Sequence, residues 1–532
     1  MTLLLATALL CVSSASSRAA THAGEILGLG AGGLGELGPA TSAPVNASPV
    51  EVTLPGEIGG GRVLATGLGF SLVTSGGGQL FGFGDDVNGE AGLPGYESLQ
   101  PPLEIPLPGA SAAPSALAAG ASSSFAATAS GQLFSWGWNE SGILGRGAGT
   151  EKRVLPGAVT LPGAVGGIAS VATGGATLVA TTSGQLFSFG ENKYGQLGRP
   201  EHSGTTTPTP NPGLVSLAAH VTQVAASYEF GLALTSTGDV YSFGIDDAGE
   251  LGTGEPEEPN SNPHPTPAQV TFPAGAGPVT QIAVGELTAY ALTASGRLFG
   301  WGEGFAHDQL GFEEQDPVWS PREIVLPGAS APIVRIGAGE EAAYALTANG
   351  VLFGWGGNEN GELGSGASKF VNPTPSPIAL GEGTTVDTIS SGCCALHVLI
   401  LVADLGVGGS LPAGLVGTPY AASVPFSGGT PPYSFSASGL PAGLAIDGSS
   451  GAISGTPVQA GGSAPVVTVT DAFGIQASGT LSLSVAPKAV CVACGVLSPS
   501  PISLASLRAS LLSQLGLHGK AAKIGHVLTH GY

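Results

Sequence analysis

The sequence predicts an all-β protein in which a seven-bladed β-propeller, closed by its own N-terminal strands, precedes a small β-sandwich and a short C-terminal helix. Three observations predict it. One strand-rich unit recurs at a near-constant period, the first and last copies are complementary half-units, and the period stops after residue 401.

The stretch from Ile336 to Gly366 shows the unit whole. Gly339 precedes an apolar run ending in Ala345-Leu346-Thr347, and Asn349-Gly350 supplies a tight turn. Val351-Leu352-Phe353-Gly354-Trp355-Gly356 follows, closed by Gly361-Glu362-Leu363-Gly364. Two runs of strand formers around an Asn-Gly dipeptide read as a β-hairpin. The second half occurs seven times, with its glycine at Gly30, Gly84, Gly137, Gly190, Gly244, Gly302 and Gly356 and spacings of 54, 53, 53, 54, 58 and 54. A repeat of that length with no helical stretch is a propeller or a solenoid. The chain ends decide between them. Ile26 to Gly38 is a second half with no first half before it, and Ser391 to Leu401 is a first half with nothing after it. Pairing the two completes a seventh blade and removes the exposed strand edges of an open array. In that last half-unit Cys393 and Cys394 are adjacent in a predicted strand, which points them to opposite faces, one into the core and the other toward an unassigned partner.

The repeated pattern G-x-x-x-x-x-A-L-T-x-x-G-x-L-F-x-W-G-x-N-x-x-G-x-L-G resembles the repeat of the regulator of chromosome condensation superfamily over Gly24 to Leu401. The resemblance implies a seven-bladed propeller with further strands in each blade. The Pro-flanked segments Val50 to Pro55, Leu103 to Pro108, Ala158 to Pro162, Ala268 to Pro273 and Arg322 to Pro327 would supply one strand each. Where the eukaryotic repeats often have a His three residues after the first-half glycine, this chain has Phe70, Ser123, Thr177, Phe230, Thr288, Ala342 and Ala395. That departure leaves the fold intact and removes the basis for carrying over nuclear functions such as nucleotide exchange.

Past the ring, residues 402–410 read as a linker and 411–486 as short strands between Gly/Pro turns, a small β-sandwich. Its motifs, including Gly428 to Phe435, Gly451 to Pro457 and Val467 to Gly474, resemble the immunoglobulin-like (Ig-like) domains repeated in bacterial surface proteins, where they act as spacer or adhesive modules. Asp447 and Asp471 fall short of the roughly six to eight oxygens calcium takes and read as turn formers. The C-terminal segment 487–532 carries Cys491 and Cys494 as C-x-x-C, then an amphipathic helix from Ile502 to Leu515. With His526 and His530 the cysteines have zinc-like elements, but the 31-residue gap from Cys494 and an exported setting favour disulfide bonding of Cys491 and Cys494, their pairing unassigned, and no metal. At the other end, residues 1–23 hold an apolar run, Leu3 to Val12, followed by small residues suited to cleavage, and read as a secretory signal. No other segment approaches the ~18 apolar residues of a membrane span.

Glycine and proline, 89 and 41 residues, fall at fixed turn positions, so order rather than disorder follows. The net charge of -22 repels phosphate backbones, which excludes nucleic acid as an expected partner and favours a basic or neutral one. Asp85, Asp86, Asp246 and Asp247, with Glu191, Glu303 and Glu359, follow the aromatic-glycine turn and should gather on one rim. Most such residues cap loop turns. Trp136, Trp301 and Trp355 alternate with phenylalanines in one slot and are inter-blade core, whereas Trp138, Tyr194, Phe305 and Trp319 break the pattern and are candidate contact residues. The insertions Arg199 to Pro212 and Thr253 to Pro267 read as exposed binding loops. No nucleophile elbow, phosphate loop or zinc-protease motif occurs, and neither a catalytic residue nor a cofactor is expected. The expected function is an exported, non-catalytic binding or surface-display protein that recognises an extracellular protein or glycan through rim loops. Alternatives are a secreted inhibitor of another enzyme, since one secreted group with this propeller inhibits β-lactamases, and a polysaccharide-active enzyme using rim carboxylates.

Overall fold

The computed structural model describes residues 24–488 except 39–40, 42, 56–62, 93–99, 140, 148–152, 255–261, 304–307, 313–315, 365–369, 382–383, 385, 391, 404, 428–431 and 472–475. The leader-like residues 1–23, Phe305, and the C-terminal segment with Cys491, Cys494 and the expected helix lie outside the described residues. Every regular element among the described residues is a β-strand.

Seven four-stranded antiparallel sheets form the ring. The first blade consists of Val63–Thr66, Phe70–Thr74, Leu80–Gly84 and Gln100–Glu104, and the next five repeat that order up to Val371–Pro377. The seventh blade takes Val386–Ser390 and His397–Val402 from the end of the repeat region and Ile26–Ala31 and Val45–Val52 from the beginning. Ile26 stands opposite Leu401 and Gly30 opposite His397. Val402 N–H donates to Glu25 O at 2.8 Å, and Gly24 N–H to Val402 O at 3.2 Å. The N-terminal strands therefore close the ring as the half-units require.

Second strands such as Phe230–Thr235 and Ala342–Thr347 are buried at every position, because neighbouring blades cover both of their faces. They read as continuous runs of Ala, Leu and Thr instead of alternating patterns. Trp136, Trp301 and Trp355 fill the gaps between blades, and their indole N–H groups donate to Glu90 O, Glu250 O and Gln309 O in the preceding blade. Each such ring contributes on the order of 2–3 kcal/mol by burial.

The repeat glycine has a specific cause. At Gly302 φ is +103°, and a Cβ there would lie 2.4 Å from Leu287 O. Gly30, Gly84, Gly137, Gly244 and Gly356 are equally crowded by a carbonyl oxygen from the loop between the first two strands of their blade, at 2.4 to 2.5 Å. An L-residue would be strained in both respects. At this glycine the third strand also shifts register against the fourth: Gly82 pairs with Leu103 but Gly84 with Gln100. That bulge brings the fourth strand in from upstream. The outer strands accordingly run Val45–Val52, Gln100–Glu104, Val154–Val159, His264–Gln269 and Val318–Ile324, earlier than the Pro-flanked segments expected for them, and they end before each proline.

A second correction concerns the cysteines. Cys393 and Cys394 occupy a turn between the strands Val386–Ser390 and His397–Val402, with Ala395 N–H donating to Gly392 O. Strand alternation does not apply in a turn, so both side chains are buried together with their Sγ atoms 2.7 Å apart.

The sandwich is packed around Tyr420, Phe435, Ile453, Val467, Val469 and Leu483. Its core is continuous with the ring through Val402, Leu405 and Leu411, which join Leu27, Leu346 and Ile400 in one cluster. Within 402–410, Gly406–Val407 forms a short strand paired with Phe426–Ser427. Arg335 in the sixth blade adds an electrostatic link: burial lowers its pKa, while the charges of Asp387 in the seventh blade and Asp471 in the sandwich oppose that shift. Asp447 is a turn former, its Oδ1 accepting from the N–H and Oγ of both Ser449 and Ser450, which holds its carboxyl well below the usual range.

Candidate functional site on the loop face

One face of the ring is assembled by a hydrogen bond repeated in every blade. The N–H of the residue directly after the repeat glycine donates to the carbonyl of the loop joining the first two strands. The pairs are Asp85 to Gly69, Trp138 to Ser122, Glu191 to Gly175, Ile245 to Glu229, Glu303 to Leu287, Gly357 to Glu341 and, in the closing blade, Ala31 to Leu396. Outer and inner loops therefore stand side by side on this face all the way round.

The inner loops converge on a central channel of about 260 Å³ lined by the innermost strands. The seventh blade's loop reaches across to the first and third blades. Cys393 Sγ lies 3.7 Å from Thr173 O, and Gly392 is so close to Thr66 O that a Cβ would sit 2.2 Å away. Cys394 and burial together hold the Cys393 thiol well above its ordinary range, and both side chains are buried in an apolar cluster with Phe230 and Val284. Tyr228 packs against them, its phenol pushed up by burial and by Cys394.

Beside this plug lies a cleft of about 600 Å³ on the second to fifth blades. Trp138, Tyr194 and Tyr228 line it, together with the carboxylates Glu191, Glu229 and Glu286 and one ammonium, Lys193. Lys193 Nζ donates to the Tyr194 hydroxyl at 2.6 Å and lies 4.4 Å from the centre of its ring. Burial raises the pKa of Glu229; the Tyr194 hydroxyl and Lys193 lower it, and Asp247 and Glu286 add to the rise. Glu191 is raised by burial and by Glu229 against the pull of Lys193. Next to the cleft Glu340 is pushed up to about 7 by burial and by Glu286, Glu341 and Glu362. Negative charge on this arc exceeds what its one lysine balances.

The sequence-expected rim residues divide. Trp138 and Tyr194 meet in the cleft. Asp86 is fully buried and ion-paired with Arg153, which also donates to Asp86 O at 2.8 Å. Asp246 accepts from Leu251 N–H at 3.0 Å, the same turn-capping bond that Asn139, Asn192 and Asn358 make to Leu144, Leu197 and Leu363. Asp85 lies on the first blade away from the cleft, accepting from Val87 N–H at 3.4 Å, and Asp247 acts on the cleft through its charge on Glu229. Trp319 sits in an outer strand against the Gly249 turn. Within the insertion Arg199 to Pro212, Arg199 is buried and bonds to Ser188, so that loop is anchored rather than free. Tyr228, Glu229, Glu286 and Glu340 were not singled out from sequence. Aligning the two residues after the first-half glycine would have found them, since these positions are acidic only on the fourth to sixth blades. No cluster of three or more metal-binding side chains occurs among the described residues.

Comparison with known proteins agrees with this architecture. Residues 130–180, 183–234 and 237–292 match the regulator of chromosome condensation (RCC1) repeat, and 115–143, 221–250 and 333–362 match a second description of that repeat. RCC1 repeats are thus matched over residues 115–180, 183–292 and 333–362 of the ring. Residues 410–486 match the family described as "Putative Ig domain", so an Ig-like module follows the RCC1 propeller. Human HERC2, an E3 ubiquitin-protein ligase, is 29% identical over 395 residues, covering 71% of this chain and 8% of that protein. The ultraviolet-B receptor UVR8 of Arabidopsis thaliana is 31% identical over 295 residues, covering 54% of this chain and 63% of UVR8. The chain thus spans only a small part of HERC2 and less than two thirds of UVR8. Among solved structures, Prp20p from Saccharomyces cerevisiae superposes with a TM-score of 0.63 at 20% identity, covering 72% of this chain and 92% of Prp20p. Human WBSCR16 gives 0.62 at 22% identity, covering 71% and 99%. These two likenesses concern the fold.

Proposed function

We propose that this protein is a non-catalytic binding module that recognises a protein partner through the loop face of its RCC1 propeller, and that it works outside the cell. The cleft carries the proposal: three aromatic side chains and three carboxylates converge beside the plugged channel, at positions where the repeat does not require them. Aromatic residues at a rigid concave surface are the usual anchors of protein recognition. Prp20p, which shares the fold, is described by its binding to Gsp1p and histones, and it has also been seen bound to Kap60. The export expectation rests on the leader-like residues 1–23.

The test uses the full chain with an aromatic photo-crosslinking residue, which keeps a ring at the site, in place of Trp138 on the loop face or of Leu155 on the outer strand of the second blade, both exposed. Incubation with medium and surface extract of the producing cells should give one protein adduct from position 138 and none from 155. Equal adducts from both positions, or none, would overturn the reading.

A further inference from the structure

The cleft already holds a cation, its own. The Lys193 ammonium sits 4.4 Å from the Tyr194 ring centre, and its bond to the Tyr194 hydroxyl, with the charges of Glu229 and Glu191, raises its pKa. Lys193 is exposed, so nothing but this arrangement holds it there. Three lining carboxylates against one lining ammonium leave two negative charges. Asp247 adds a further negative charge behind Glu229, and Glu340, pushed up to about 7, adds part of one behind Glu286. Lys193 therefore occupies the place of a ligand cation without neutralising the site.

We propose that the cleft takes a basic side chain of the partner protein, an ammonium or a guanidinium, which displaces Lys193 from Tyr194 and lies between the Trp138 and Tyr194 rings and the Glu229 and Glu286 carboxylates. Aromatic rings attract a cation through their quadrupole, and desolvated carboxylates strengthen that attraction. Charge complementarity selects this occupant, since an acidic segment would meet the carboxylates and an apolar one would leave them unpaired and buried. The inference rests on the reading of the loop face as a protein-recognition surface.

The probes are trilysine, triarginine and, as the uncharged control, tricitrulline, each amide-capped and titrated into the full chain by calorimetry at low salt. Trilysine or triarginine should bind, tricitrulline should not, and the relative affinity of the two basic peptides identifies the preferred head group. Glu229→Gln combined with Glu286→Gln should weaken binding by about tenfold or more, whereas Lys193→Ala, which removes the internal competitor, should tighten it by about threefold. Thermal melts of the variants establish that the ring still folds. Tricitrulline binding as well as the basic peptides, or weaker binding by Lys193→Ala, would overturn the proposal. If the crosslinked partner from position 138 persists while the basic peptides fail to bind, the cation inference falls and the recognition surface stands. If neither is seen, both fall.

Discussion

The closing turns and the inner loops of the same face both carry carboxylates, and the two sets are held in different ways. Glu36, Glu90, Glu250 and Glu362 recur at one position of the repeat, at most 2% exposed. Each accepts from the backbone N–H two residues earlier: Leu34 at 2.7 Å, Asn88 at 2.7 Å, Ala248 at 2.8 Å and Asn360 at 3.0 Å. Glu229, Glu286 and Glu340 sit instead in the inner loops of three consecutive blades, among other carboxylates and aromatic rings, with Lys193 beside Glu229. A group that the repeat regenerates at each turn is there for the ring. One that appears on a single arc, at a cost in like-charge repulsion, is there for something the ring meets. Substitutions in the first set should therefore change stability and spare binding, and those in the second should do the reverse.

The largest effect should come from the backbone that both sets depend on. Gly302→Val forces a Cβ to 2.4 Å from Leu287 O at φ +103°, and should destabilise the ring by roughly 3 kcal/mol or more, read as a drop in the denaturant midpoint. A midpoint within error of the parent would mean that the glycine is not needed to join outer and inner loops. Next comes Glu250→Leu, which leaves the Ala248 N–H without its acceptor and should cost about 1–3 kcal/mol while crosslinking from position 138 is retained. Loss of crosslinking in a folded Glu250→Leu protein would erase the distinction between the two sets.

How far the sequence revealed this distinction follows from the repeat itself. The crowded glycines and the tryptophan slot recur from blade to blade and the complementary half-units stand at the two ends, so comparing copies made the ring, its closure and its inter-blade core legible. Departures from a visible pattern could be read too, and Trp138 and Tyr194 stood out for that reason. Asp86 and Asp246 look from sequence like solvated rim charges because their neighbours Asp85 and Asp247 double the signal. Only the fold shows that one of each pair turns inward, to Arg153 or to the Leu251 N–H. Glu229 and Glu286 come from different blades, 57 residues apart by number, and their meeting in one cleft depends on ring curvature that no local pattern encodes.

A smaller and more diagnostic effect concerns pH. Burial pushes Glu90, Glu250 and Glu362 up to about 7 from an ordinary 4.5, so between those values the folded chain keeps protons that the unfolded chain has released. Folding stability then falls as pH rises through that window and levels off above about 7. The melting temperature should be higher at pH 5 than at pH 8. Gln196 occupies the same slot in the third blade, where its Oε1 accepts from Tyr194 N–H at 2.9 Å and its Nε2 donates to Tyr228 O at 3.3 Å. Replacing Glu90, Glu250 and Glu362 together by Gln should therefore preserve the fold and flatten the pH dependence. An unchanged slope would place the titrating groups elsewhere, in the inner loops.

The smallest expected change in stability is at Lys193, and it separates the two sets most sharply. Its ammonium is exposed, and solvent screens its attraction to Glu191 and Glu229. Lys193→Ala should leave the melting temperature within about one degree of the parent, because exposed ion pairs contribute little to stability. The same substitution takes the one cation out of a cleft lined by three carboxylates, so it should also make the attraction of basic peptides more sensitive to salt. A large drop in melting temperature would show that Lys193 holds the inner loops together against their own charge. The carboxylates of that arc would then belong with the closing turns, as part of what the ring needs to fold.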